Sequence, residues 1–392
     1  MRKMKDSGIE WIGQIPNDWK CCKQKYLITL LNGRAYKDSE FEEDGKYKIL
    51  RVGNLFTNPV WYSSSLELEP NKYCQDGDLL YSWSMSYAPV IWHGEKVIYH
   101  YHIWKTVLSE KISKMFAYYY LISLTNALQA EIHETTMGFI TMGVMNNAYI
   151  AFPPLAEQQR IADFLDEKCG EIDSIRSDVQ REIEILNDYK KSVITEAVTK
   201  GLNSKAKLKD TGIEWIGKIP EGWNSIKAKY LFKQRNSRGN TIDLQLLSPS
   251  QKFGVIPQSK LEELTTQKVV KLNEKVNLAE LKTIHKGDFC ISLRSFQGGF
   301  EYSEYEGVVS PAYQVFYSIV PSCNGYYRYL FKEKSFIEKM NSFTMSLRDG
   351  KNIAFEDFAN SEMPVPPLSE QEAIADYLDE KCSEINATIV DK

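Results

Sequence analysis

Several things are missing from this chain, and each absence narrows what it can do. No apolar run approaches the roughly 18 residues that a membrane-spanning helix needs, and the opening "MRKMKDSGIEW" has no apolar leader core. A soluble, cytoplasmic protein is the expectation. Cysteine is sparse and odd in number: Cys21, Cys22, Cys74, Cys169, Cys290, Cys323 and Cys382, with no CxxC pair. That spacing argues against a zinc site and a disulfide framework and predicts reduced thiols, mostly buried. There is no Walker loop, no nucleophile elbow and no glycine-rich loop after a strand. His93, His100 and His102 share an aromatic stretch but have no acid or thiol nearby to complete a metal site, so packing or a single hydrogen bond is their expected role. "NPVW" (58–61) lacks the second proline of an adenine-methyltransferase motif and reads as a turn. No catalytic residue, metal ligand or bound cofactor is therefore assigned to this chain.

What is present is a duplication. "GIEWIGQIP" (8–16) returns as "GIEWIGKIP" (212–220). "FPPLAEQQRIADFLDEKCGEIDSI" (152–175) returns as "VPPLSEQEAIADYLDEKCSEINAT" (365–388). Between these markers lie two segments, 20–151 and 224–364, that share only fragments such as "KYL" and a Gly-Asp pair, Gly77-Asp78 and Gly287-Asp288. The period is that of a whole domain plus a connector, far beyond any solenoid repeat.

The second marker opens a helix. Pro153-Pro154 and Pro366-Pro367 suit a helix start, and from Ile172 the apolar residues Ile175, Val179, Leu186, Tyr189 and Val193 follow a heptad rhythm with Glu182 at one seam position. Gly201 is the predicted stop. A helix over 157–199 is roughly 60 Å long. The copy over 370–392 predicts an antiparallel partner. By length it can face residues 157–180, leaving Leu186, Tyr189, Val193 and Ala197 uncovered; centred on the seam, it would leave both ends ragged. The formal charge of −4 comes from these helices, while the first variable segment is balanced and the second is net basic, so the overall sign does not speak against a polyanionic partner.

Within the variable segments, 47–56, 78–84, 97–108, 288–296 and 307–320 read as strands, and 114–132 and 325–343 as helices. The predicted fold class is α/β (mixed α+β): two globular domains joined and separated by two long antiparallel helices, with an internal pseudo-two-fold repeat. The boundaries are 1–151 for the first anchor and domain, 152–207 for the central helix, 208–364 for the second anchor and domain, and 365–392 for the final helix.

On "GIEWIGxIPxxW" and "PPLxEQxxIADxLDEKC", the chain resembles the specificity (S) subunits of type I restriction–modification systems. "LRVGNL" and "GDLLYSWSMSY" resemble one subtype of recognition segment, and "LLSPSQKFGVIP" another. The resemblance implies that each variable segment is a target recognition domain reading one half of a split double-stranded DNA site, with the helices as spacer. It implies no catalysis in this chain, two methyltransferase (M) subunits carrying S-adenosylmethionine, restriction (R) subunits carrying ATP and Mg, and no membrane. A stand-alone methyltransferase or restriction protein, and a scaffold that binds proteins rather than DNA, are the alternatives. The missing cofactor loop argues against the first, and steeply salt-dependent DNA binding would exclude the second.

Phosphates call for Lys or Arg, guanine edges for Arg, adenine edges for Asn or Gln. The candidate DNA-facing residues are Arg34, Tyr36, Lys37, Arg51, Asn54, Ser84, Ser86 and Tyr87 in the first domain. In the second they are Lys233, Arg235, Asn236, Arg238, Ser248, Gln251, Arg294, Ser295, Gln297, Gly298, Arg348 and Lys351. Two identical subunits can dock only on repeated surface, which selects Trp11 and Trp215, Leu155 and Leu368, Glu157 and Glu370, and Gln158 and Gln371.

Overall fold

A computed structural model describes residues 2–84, 86–134, 140–238, 245–265, 280–292, 299–343 and 353–392. The chain divides into two units, Met1–Ile175 and Arg176–Lys392. The division falls inside the helix Leu155–Lys200, not at the ends of the predicted spacer, because each half of that helix packs on its own unit.

Both units follow one plan. In the first, a four-stranded sheet runs in the order Ile28–Asn32, Ile103–Leu108, Leu79–Ser82, Ala88–Ile91. In the second, the order Phe232–Arg235, Gln314–Ser318, Phe289–Ile291, Phe300–Tyr302 repeats it. Alternation explains the first strand, whose Ile28 and Leu30 are buried while Thr29 is exposed. A second layer is also shared. Tyr47–Leu50 pairs in parallel with Val97–Tyr99, Ile49 beside Ile98. In the second unit Leu246 makes the matching parallel bridge to Val308. The Gly-Asp pairs are turns in both units. Asp78 accepts the Gln75 N–H and pairs with Lys105, and Asp288 accepts the His285 N–H and pairs with Arg235.

The repeated markers, far apart in sequence, meet in each unit. Lys20–Lys23 pairs antiparallel with Tyr149–Phe152, as Asn224–Lys227 does with Glu362–Val365. The Trp19 indole N–H donates to Glu157 at 3.4 Å, and Trp223 donates to Glu370 at 2.8 Å. Gln158 is fully buried. Its Oε1 accepts the Ser113 N–H at 2.8 Å, and its Nε2 donates to the Lys111 and Pro153 carbonyls, both at 2.9 Å. Gln371 does the same with the Cys323 N–H and the Pro366 carbonyl. The expectation that Gln158 and Gln371 face a partner is thus corrected: both amides are used up inside their own units.

Four further expectations change. Residues 47–56 are a strand only to Leu50, and Val52–Phe56 is helical. The Asn54 side chain forces the switch by accepting the Arg51 N–H and donating to the Asn58 and Val60 carbonyls. The run 97–108 is two strands split by a turn at His100–His102. The helix expected over 325–343 breaks into Asn324–Leu330 and Lys334–Ser342, because buried Glu333 caps the second by accepting the Phe336 N–H. Of the seven free thiols only Cys74, Cys290 and Cys382 are buried, so the expectation of mostly buried cysteines is not met.

The long helix has 46 residues, about 69 Å at 1.5 Å per residue. It ends at Lys200, with Gly201 at φ 76° as its stop. A Cβ on Gly201 would lie 2.6 Å from Glu370 Oε1 and 3.2 Å from Trp223, so only glycine fits beside that hydrogen bond. The final helix, Leu368–Val390, runs antiparallel to the long helix within the second unit, as predicted, but against its other end. Lys190 donates to Asn386, Lys392 pairs with Glu182, and Val193, Ile194 and Ala197 join the core that holds Ile374 and Leu378. Ala197 is 3% exposed and Val193 is half-buried, overturning the expectation of an open seam there. Leu186 is half-buried as well, and only Tyr189 of the four stays exposed. The uncovered face is the first unit's: Phe164, Ile172 and Ile175 are 57%, 63% and 63% exposed.

Candidate functional site

In the first unit the candidate residues gather around the turn His100–His102. Gly33 brings the chain against this turn; a Cβ there would meet the Tyr99 carbonyl oxygen at 2.3 Å. Arg34 then forms a forked pair with Glu40, at 2.5 and 3.3 Å, with its guanidinium over the Tyr36 ring. Tyr36 stacks on His100. Both line a recess of about 410 Å³ with Asp38, Phe41, Arg51 and Tyr62. Burial first, then His102 and Arg51, pulls His100 down to about 4, so it is neutral at physiological pH. Arg51 is exposed, its guanidinium 5.2 Å from the Tyr62 ring centre. Lys37 is exposed beside them. Asn54 also sits here, but its amide is taken by the loop it ties down. Ser84, Ser86 and Tyr87 lie at the next turn, where Tyr87 packs on the core and Ser86 is exposed.

The second unit uses equivalent positions differently. Lys233, Asn236 and Arg238 are exposed. Arg235 is committed inward: it forms a forked pair with buried Asp288 at 2.6 and 3.0 Å and lies over Tyr317. Ser248 is buried, its hydroxyl accepting from Gln258. Gln251 lines a cavity of about 500 Å³ that Tyr302, Arg328, Glu301 and Lys332 also line. Arg294, Ser295, Gln297, Gly298, Arg348 and Lys351 lie outside the described residues.

That cavity holds a titrating group. Glu301 is buried, pairs with Lys332 at 2.6 Å, and is pushed up to about 7 because burial outweighs its lysine. The folded chain holds a proton that the unfolded chain releases. This stabilisation is complete below the ordinary carboxylate value of 4.5 and is lost as pH rises through about 7. Urea unfolding between pH 5 and 8 should show the decline, on the order of 3 kcal/mol at most. Glu301→Gln should flatten it; an unchanged slope would assign the decline elsewhere.

Of the repeated candidates for partner contact, Trp11, Leu155 and Leu368 are exposed. Trp215 is half-buried, edge-on to Phe336 at 5.5 Å. Glu157 and Glu370 hold the indoles described above, and Glu157 also pairs with Arg2. Sequence reasoning missed a repeated tyrosine contact: Tyr119 donates to Asp166, as Tyr329 does to Asp379. The "DFLDEK"/"DYLDEK" repeat carried the acids, but their tyrosine partners sit in the variable segments. Beside Tyr119, a groove of about 760 Å³ opens along the long helix, lined by Phe56, Ile91, Tyr118, Cys169 and Ile172. In the second unit the corresponding residues Cys382 and Ile385 are buried.

Among the described residues no group of three or more His, Cys, Asp or Glu could hold a metal ion, and no helix is long and apolar enough to cross a membrane. The sequence profile of the type I restriction modification DNA specificity domain matches residues 16–184 and, a second time, residues 220–392. The chain belongs to this family. Its two DNA specificity domains coincide with the two copies of the shared plan. The EcoBI specificity subunit of Escherichia coli is 23% identical over 209 residues, 53% of this chain and 44% of that protein. The MjaVIII specificity subunit of Methanocaldococcus jannaschii is 27% identical over 222 residues, 55% of this chain and 49% of that protein. The chain thus spans about half the length of these curated relatives in its matches. A chain from a solved structure concerned with complex assembly and conformational transition of the type I R-M system matches at a TM-score of 0.65 and 14% identity, covering 96% of this chain and 93% of that one. That likeness is one of fold.

Proposed function

We propose that this chain is the DNA-reading subunit of a type I restriction–modification complex, each specificity domain reading one half of a bipartite site. The observation that carries this is the pair of family matches on two domains of one plan but different surface chemistry: Arg51, exposed on one, is matched by buried Ser248 on the other. Two unlike readers on a duplicated frame suit an asymmetric, split sequence. The long helices act as the spacer between half-sites. Methyltransferase subunits carrying S-adenosylmethionine dock on repeated surface, for which exposed Trp11, Leu155 and Leu368 are the candidates, while the open stripe Phe164–Ile172–Ile175, whose counterpart Ile385 is buried, offers a further contact on the first unit alone. Restriction subunits with ATP and Mg complete the cleaving form.

The test is a domain exchange. Residues 20–151 enter and leave through one strand pair, so replacing them with another member's segment should change one half of the methylated motif and leave the other. Mapping N6-methyladenine in cells with the methyltransferase partner reads this directly. A swap that altered both halves, or produced no split motif, would overturn the reading.

A further inference from the structure

The first specificity domain contains two arginines between residues 20 and 151, Arg34 and Arg51. Arginine is the side chain that most often reads a base, because its planar fork matches guanine O6 and N7. Arg34 has spent its fork on Glu40 and lies over Tyr36. Arg51 has no carboxylate or carbonyl acceptor for its guanidinium among the described residues; it lies over the Tyr62 ring at the mouth of the recess, with His100 in the same lining. The second unit supplies an internal comparison. Ile49 beside Ile98 corresponds to Leu246 beside Val308, so two residues further on Arg51 and Ser248 occupy the same place in the shared plan. There the second unit has a small hydroxyl, buried and satisfied by Gln258. A position that the fold keeps but whose chemistry changes between the two readers is where their specificities can differ.

We infer that Arg51 reads a guanine in the half-site of the first domain. This rests on the chain being a DNA-reading subunit. The guanidinium donates two parallel hydrogen bonds to O6 and N7 in the major groove, and Tyr62 limits the rotamers it must give up on binding. Lys37, exposed nearby, is a phosphate contact at most, since an ammonium cannot present the fork.

The experiment compares the intact chain with Arg51→Lys and Arg51→Gln, each co-expressed with the methyltransferase subunits, by mapping N6-methyladenine motifs and by titrating purified complexes on the wild-type site and on sites with one base pair changed. In wild type, replacing the guanine should weaken binding about 5- to 150-fold, the worth of one bidentate pair. Both variants should lose that discrimination at the one position and keep the other half-site intact. Arg51→Lys should also keep the salt dependence, because it keeps the charge. Uniform weakening of all sequences, with a salt slope shallower by about one in Arg51→Gln only, would make Arg51 a phosphate contact and overturn the inference. A first half-site without guanine would overturn it too. A wild-type complex that methylates no split motif would instead sink the wider functional reading. Arg51 is exposed and has no acceptor among the described residues, so both variants should melt like wild type.

Discussion

Arg235→Ala should cost the second unit about 3–5 kcal/mol, the usual result of stripping one partner from a buried ion pair. Asp288 is 3% exposed and receives both prongs of the Arg235 fork as well as the His285 N–H. Without the arginine, a carboxylate remains in the interior with one backbone donor. It must then either stay charged at high cost or take up a proton. Arg235→Lys should recover only part of the loss, because a single ammonium replaces two directed bonds. Chemical unfolding reads the effect. An Arg235→Ala chain as stable as wild type, but weakened on DNA, would return Arg235 to the DNA-facing role expected from the sequence.

Ile385→Ala should cost about 2–4 kcal/mol, and Ile172→Ala less than about 0.5 kcal/mol, although the two residues occupy the same place in the repeated helix motif. Ile385 is 6% exposed and Ile172 is 63% exposed. The first loses packing and leaves a cavity between helices; the second loses contact mainly with water. The comparison is controlled by the repeat itself, since helix propensity and neighbours are nearly matched. Equal costs would mean that the open stripe is covered in the free chain. If the stripe is a docking surface, as proposed, Ile172→Asp should leave the melting curve in place and weaken binding of the methyltransferase subunit.

The duplication, the long helix and its glycine stop were legible because each depends on local pattern: identical nonapeptides, a heptad rhythm, a Gly at positive φ. The register of the final helix was not. Length allowed it to lie on either half of its partner, and the choice was made by contacts no local pattern shows, Trp223 on Glu370 and Lys190 on Asn386. The surface was the least legible. Arg34, Arg51 and Arg235 look alike in sequence, as basic residues in polar stretches, yet two are consumed by Glu40 and Asp288. The acid that claims Arg34 is six residues away and the one that claims Arg235 is fifty-three away. Gln158 and Gln371 were found as a pair and misjudged, because repetition marks what must be kept without saying whether it is kept for a partner or for the fold.

The strand pair that joins Lys20–Lys23 to Tyr149–Phe152 also orders events in time. Its two strands are separated by roughly 125 residues, so bringing them together before the intervening chain has folded carries a large loop entropy. Once that chain is compact, its ends already lie side by side and closure is nearly free of that cost. Loop entropy thus favours closing this strand pair after the segment between its strands has folded. A polypeptide whose recognition domain has misfolded cannot present Trp19, Glu157 and the helix start in their native arrangement. If partner subunits dock on this frame, as proposed, a chain whose variable segment had not folded would offer them no native surface.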